Sequence, residues 1–156
     1  ANDMLEFAEK PKAVKIVDED GKLLLSGDHD RRFFEASWVH KHKGNYYLSY
    51  STGDTHFIAY AMGKSPYGPF TYKGRILEPV LGWTNHHSIV EIDGKTYLFY
   101  HDSQVSNGDT HLRNIKQPVE LTYNEDGTIQ TIDPFQEDPP AAAATPAPAA
   151  AEPATN

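Results

Sequence analysis

Gly44-Asn45-Tyr46-Tyr47-Leu48-Ser49-Tyr50 and Gly94-Lys95-Thr96-Tyr97-Leu98-Phe99-Tyr100 share the pattern Gly-x-x-Tyr-Leu-x-Tyr about 50 residues apart. Gly53-Asp54-Thr55-His56 likewise recurs as Gly108-Asp109-Thr110-His111, and Thr71-Tyr72 as Thr122-Tyr123. A repeat of this length, built on alternating apolar residues and glycine turns, predicts propeller blades of four antiparallel strands.

Working outward, the first unit is predicted to hold strands at Phe33–Val39, Asn45–Ser51, His56–Met62 and Pro69–Lys73, with a turn over Lys41–Gly44. The second unit repeats them at His87–Ile92, Thr96–His101, His111–Lys116 and Glu120–Tyr123, with turns at Asp93-Gly94 and Asn124–Gly127 before Thr128–Ile132. Ala13–Val17 and Lys22–Leu25, joined at Asp18–Gly21, read as the outer hairpin of a preceding blade. No segment has a helical apolar period. Residues 1–138 are thus expected to be part of an all-β propeller, two blades plus the rim of a third. Residues 139–156, nearly all Ala, Pro and Thr, read as a linker or tail. Two blades cannot close a ring, since propellers have at least about four. The expectation is therefore a partner chain, self-association, or a longer polypeptide.

Composition narrows the function. A formal net charge of -8 argues against nucleic acid, whose phosphates require a basic surface. No apolar run reaches the ~18 residues of a membrane span. With no cysteine, disulfides and thiolate metal sites are excluded. Ala1-Asn2-Asp3-Met4 lacks the marks of a signal peptide, which says nothing of export in a chain expected to start within a protein.

In a propeller the first strand of each blade lines the central channel. On Phe33–Val39, strict alternation puts Glu35, Ser37 and Val39 on one side and Phe34, Ala36 and Trp38 on the other. A carboxylate entering such an aromatic strand is costly to bury without a partner, and burial favours the protonated form that a general acid needs. The alternative is that Glu35 pairs with Arg31 or Arg32 at the strand's mouth. The matching place in the second unit is Trp83-Thr84-Asn85-His86-His87-Ser88-Ile89. Adjacent histidines point opposite ways, so one of them faces the channel, as a hydrogen-bonded core residue or beside a hydrated hard cation. Arg113 sits where a guanidinium could bind a hydroxyl or hold a carboxylate. Trp38, Trp83, Tyr67 and Phe70 are candidates for stacking on a sugar, with core packing as the alternative for each. In the Gly-Asp-Thr-His turns, Asp is expected to cap backbone amides while His packs at the strand start.

Five stretches together resemble glycoside hydrolase family 43: Asp28–Lys41, Tyr47–Gly53, Ser65–Phe70, Gly82–Glu91 and Tyr97–Asp102. The resemblance runs from about Met4 to Pro134 and is strongest to β-xylosidase and α-L-arabinofuranosidase members. It implies a five-bladed propeller acting on xylo- or arabino-oligosaccharides with inversion, by an Asp base, a second Asp and a Glu acid. It implies that Glu35 is the acid, that His86 (alternatively His87) is the channel histidine near a calcium ion, and that Arg113 binds substrate beside Phe34, Trp38 and Trp83. Both aspartates fall outside this chain, so the resemblance implies an acid without its base. A non-catalytic carbohydrate-binding or assembly half-propeller is the competing expectation.

Overall fold

The structure, a computed structural model, describes residues 5–7, 9–82, 85–107, 109, 111–116 and 118–136. The expected linker and Trp83 lie outside these residues. Among the described residues there are nine strands and no helix: β1 (Ile16–Val17), β2 (Glu35–His42), β3 (Asn45–Ser51), β4 (Ile58–Gly63), β5 (Phe70–Leu77), β6 (His87–Ile92), β7 (Lys95–Asp102), β8 (Asn114–Ile115) and β9 (Val119–Glu120). They form two sheets, one ordered β1-β5-β4-β3-β2 and the other built on β6 and β7.

The repeated glycines explain the repeated hairpins. Lys43 and Gly44 have φ of 43° and 81°, and Asp93 and Gly94 have 51° and 77°. Each pair bridges strand ends in register, His42 with Asn45 and Ile92 with Lys95. Two left-handed residues in a two-residue loop make the turn whose twist matches the flanking strands.

The main core lies between the sheets. Tyr47, Ile58, Tyr60 and Leu77 of the first pack against Ile89 and Leu98 of the second. Buried tyrosines of the first sheet also bond to the segment 127–129 that follows β9. Tyr47 Oη donates to the Gly127 carbonyl at 2.7 Å, and Tyr60 Oη accepts from Ile129 N–H at 2.8 Å. The opposite face of the first sheet carries a smaller cluster of Leu48, Tyr50, Ala59, Ala61, Phe70 and Ile16.

Three details differ from the sequence expectation. First, alternation along β2 breaks at its start. Glu35 pairs with Ser51 and Trp38 with Ser49, so β2 carries one extra residue, and Ala36 takes φ of 57°. This bulge puts Glu35 and Trp38 on the same face, not on opposite faces. Second, the expected strands His111–Lys116 and Glu120–Tyr123 are not neighbours. β8 and β9 both pair with β7 and together make one interrupted third strand. Pro118, which has no N–H to donate, lies in the break. Third, the expected rim hairpin is present but is joined to the first sheet, with β1 parallel to β5.

Candidate active site

β2 and β6 are edge strands of their sheets and lie against each other, and the site forms where they begin. Phe34 N–H donates to the Ser51 carbonyl at 3.0 Å, which ties the entry of β2 to the end of β3. The Phe34 ring lies on Gly53, where an added Cβ would come 2.7 Å from it. Gly53 also has φ of 84°, so only glycine suits both the turn and the close approach. Phe34 remains half exposed, with the Arg32 guanidinium 5.2 Å from its ring.

The arginines are engaged elsewhere than Glu35. Arg31 pairs with Asp28 at 2.5 Å and Arg32 with Asp54 at 2.8 Å. Glu35 instead meets the second sheet: its Oε1 lies 3.3 Å from His86 Nε2. That oxygen is buried yet accepts no hydrogen bond, while the side chain as a whole is 34% exposed. The bulge is what turns Glu35 toward this seam. The His86 ring also lies 5.9 Å from that of His101, and a cleft of about 210 Å³ is lined by His86, His87, Phe99, His101 and Ile115. Beside them Asn85 is fully buried with neither amide atom hydrogen-bonded.

His87 points the other way. Its Nε2 shares a 2.6 Å hydrogen bond with Ser49 Oγ of the first sheet. Burial, followed by His40 and His86, pushes His87 down to about 3. Burial, followed by His42, pushes His40 down to about 4. His40 stacks on Tyr47 and shares a 2.9 Å hydrogen bond with Tyr123 Oη. Both imidazoles are neutral in the folded chain and take a proton on unfolding below about pH 6.5. The unfolded state binds more protons there, so stability is full above about pH 6.5 and falls on acidification toward pH 4. Each histidine contributes about 1.4 kcal/mol per pH unit in that window. Urea unfolding of the full chain at pH 7 and pH 5 should show the lower midpoint at pH 5, and equal midpoints would contradict this account.

The remaining candidates are dispersed. Trp38 lies in the seam, where its Nε1–H donates to the Ile89 carbonyl at 2.9 Å. Arg113 is exposed just before β8. The neighbouring Asn114 donates to buried Asp102 at 2.8 Å, which fixes that loop to β7. The two Gly-Asp-Thr-His turns differ. Asp109 accepts from His111 N–H at 2.9 Å, as expected of a cap. Asp54 instead takes two side chains, His29 and Arg32, both at 2.8 Å. Sequence reasoning did not single out Ser49 or His101. Both lie in stretches that carry the family resemblance, Tyr47–Gly53 and Tyr97–Asp102, but only the pairing of the sheets shows what they touch.

Calcium takes about six to eight oxygen ligands. The described residues contain no group of three or more His, Asp or Glu able to hold a metal, and the donor facing Glu35 is an imidazole nitrogen, His86 Nε2. These residues do not by themselves fit a calcium ion.

The two packed sheets are part of a five-bladed β-propeller. Residues 2–129 match Glycosyl hydrolases family 43, and the chain belongs to that family. A xylosidase/arabinosidase of Bacteroides ovatus is 62% identical over 133 residues, 85% of this chain and 41% of that protein. A β-xylosidase/α-arabinofuranosidase from a compost microbial metagenome, solved calcium-free with xylotriose, superposes with a TM-score of 0.85 at 68% identity. The match covers 88% of this chain and 41% of that one. A family 43 enzyme of Xanthomonas citri complexed with xylotriose gives 0.84 at 57% identity, covering 88% and 42%. The chain therefore spans about two fifths of the length of these relatives.

Proposed function

We propose that this chain supplies the general-acid half of an inverting glycosidase that releases xylose or arabinofuranose from xylan-derived oligosaccharides. Glu35 protonates the departing glycosidic oxygen. Water, activated by a carboxylate from blades outside this chain, attacks the anomeric carbon from the opposite face. Phe34 forms an apolar wall beside the acid, and Trp38, Trp83 and Arg113 are the further residues assigned to substrate binding by the family resemblance. One observation carries the reading: the Glu35 carboxylate opens the edge strand β2 with a buried oxygen that accepts no hydrogen bond, beside an imidazole and not an arginine. The relatives solved with xylotriose support the substrate class.

The stereochemistry tests it. With this chain and the remaining blades together, proton NMR of the hydrolysis of an aryl β-xyloside, whose leaving group is not itself xylose, should show α-xylose first, before mutarotation. β-Xylose as the first product would mean retention and would overturn the acid-and-water assignment.

A further inference from the structure

Glu35 opens β2 of the first sheet and His86 immediately precedes β6 of the second, so pairing within either sheet does not set the 3.3 Å between them. Two polar links cross the seam next to them. Ser49 Oγ and His87 Nε2 share a 2.6 Å hydrogen bond, and Trp38 Nε1–H donates to the Ile89 carbonyl at 2.9 Å. Ser49 and Trp38 are cross-strand partners on β3 and β2, while His87 and Ile89 are two apart on β6. The links thus form a clamp with one rung on each pair. His87 adjoins His86 in sequence, and Trp38 follows Glu35 by three residues.

We propose that His87, through Ser49, is a positioning residue for Glu35, locking the two blades in the register that holds the carboxylate against His86. The proposal rests on the reading of Glu35 as the general acid.

The chemistry of the pair argues for register over stability. Ser49 is fully buried, and its hydroxyl lies 3.4 Å from the Trp38 carbonyl, which orients it toward the imidazole. His87 Nδ1 is buried without a hydrogen-bond partner, so the ring is anchored through Nε2 alone. A buried polar atom left unbonded is costly, whereas apolar groups of the same shape at both positions would be nearly neutral. What the polar pair adds is direction: it is satisfied in one sliding position of the sheets and broken in others. A displacement of about 1 Å at a catalytic group can cost as much as 100-fold in rate.

The test uses Ser49→Ala, His87→Leu and His87→Gln in this chain together with the remaining blades. It compares xylobiose, whose leaving group needs a proton, with a dinitrophenyl xyloside, whose leaving group departs without one. Ser49→Ala and His87→Leu should lower kcat on xylobiose ~10-fold or more, with less than about a threefold change on the activated substrate and in KM. His87→Gln, whose amide can reach Ser49, should restore most of the xylobiose rate. Equal losses on both substrates, or wild-type rates for every variant, would overturn the positioning role while leaving the glycosidase reading intact. A wild-type assembly inert on both substrates would overturn the glycosidase reading, and this proposal with it. Thermal unfolding of each variant, and Ser49→Ala as the smallest change, separate misfolding from mispositioning.

Discussion

Replacing Glu35 with Gln, in this chain combined with the remaining blades, should lower kcat on xylobiose by about 10²–10⁴-fold, the usual contribution of a general acid. Glutamine keeps the shape of the side chain and its place at the start of β2 but has no proton to give to the leaving oxygen. KM should change little, because the lost interaction develops only as the glycosidic bond breaks. Stability should hardly move, since Glu35 Oε1 accepts no hydrogen bond in the folded chain and Arg31 and Arg32 are paired elsewhere. Steady-state kinetics with a thermal unfolding control make the measurement. A variant within threefold of the wild-type rate would show that some other group protonates the leaving oxygen.

Much of this architecture was legible because it rests on local chemistry. Glycine at the second position of the β2–β3 and β6–β7 turns, in two segments of matching pattern, fixes where those hairpins reverse. The aromatic strand beginning with a carboxylate marks the inner edge, and the paired histidines mark its counterpart. What was not legible depends on single backbone choices or on distant partners. The bulge at Ala36 requires a left-handed residue, and alanine gives no sign of one where glycine or asparagine would. It reversed the expected relation between Glu35 and Trp38. The joining of β8 and β9 along β7 follows from sheet register, and Pro118 marks only the break. Asp54 was expected to cap its own turn, yet its carboxylate takes His29 and Arg32, 25 and 22 residues earlier. The link between Ser49 and His87 spans 38 residues and two sheets, and neither repeat alone shows it.

The second large effect concerns assembly. Both outer faces of the pair of sheets carry apolar side chains in solvent. On the second sheet Val90 is 40%, Ile92 46% and Ile115 78% exposed, and on the first Val39 is 50% exposed. Val90 and Ile115 share the face opposite Ile89 and Leu98, where a further blade would pack. An inverting glycosidase also needs a base about 6.5–9.5 Å from its acid, on the far side of the sugar. The proposed function takes that base from a blade outside this chain. Supplying those blades should therefore cover the apolar faces and complete the catalytic pair at once. The gain in turnover should reach about a hundredfold or more, the scale of general-base catalysis.

Release of xylose from xylobiose, followed for the chain alone and for the chain with its complementary blades, tests the central claim most directly. The chain alone should give no turnover above background, and the mixture should release xylose in proportion to the complex formed. Equal hydrolysis by the isolated chain, or a folded but inert complex, would contradict the account.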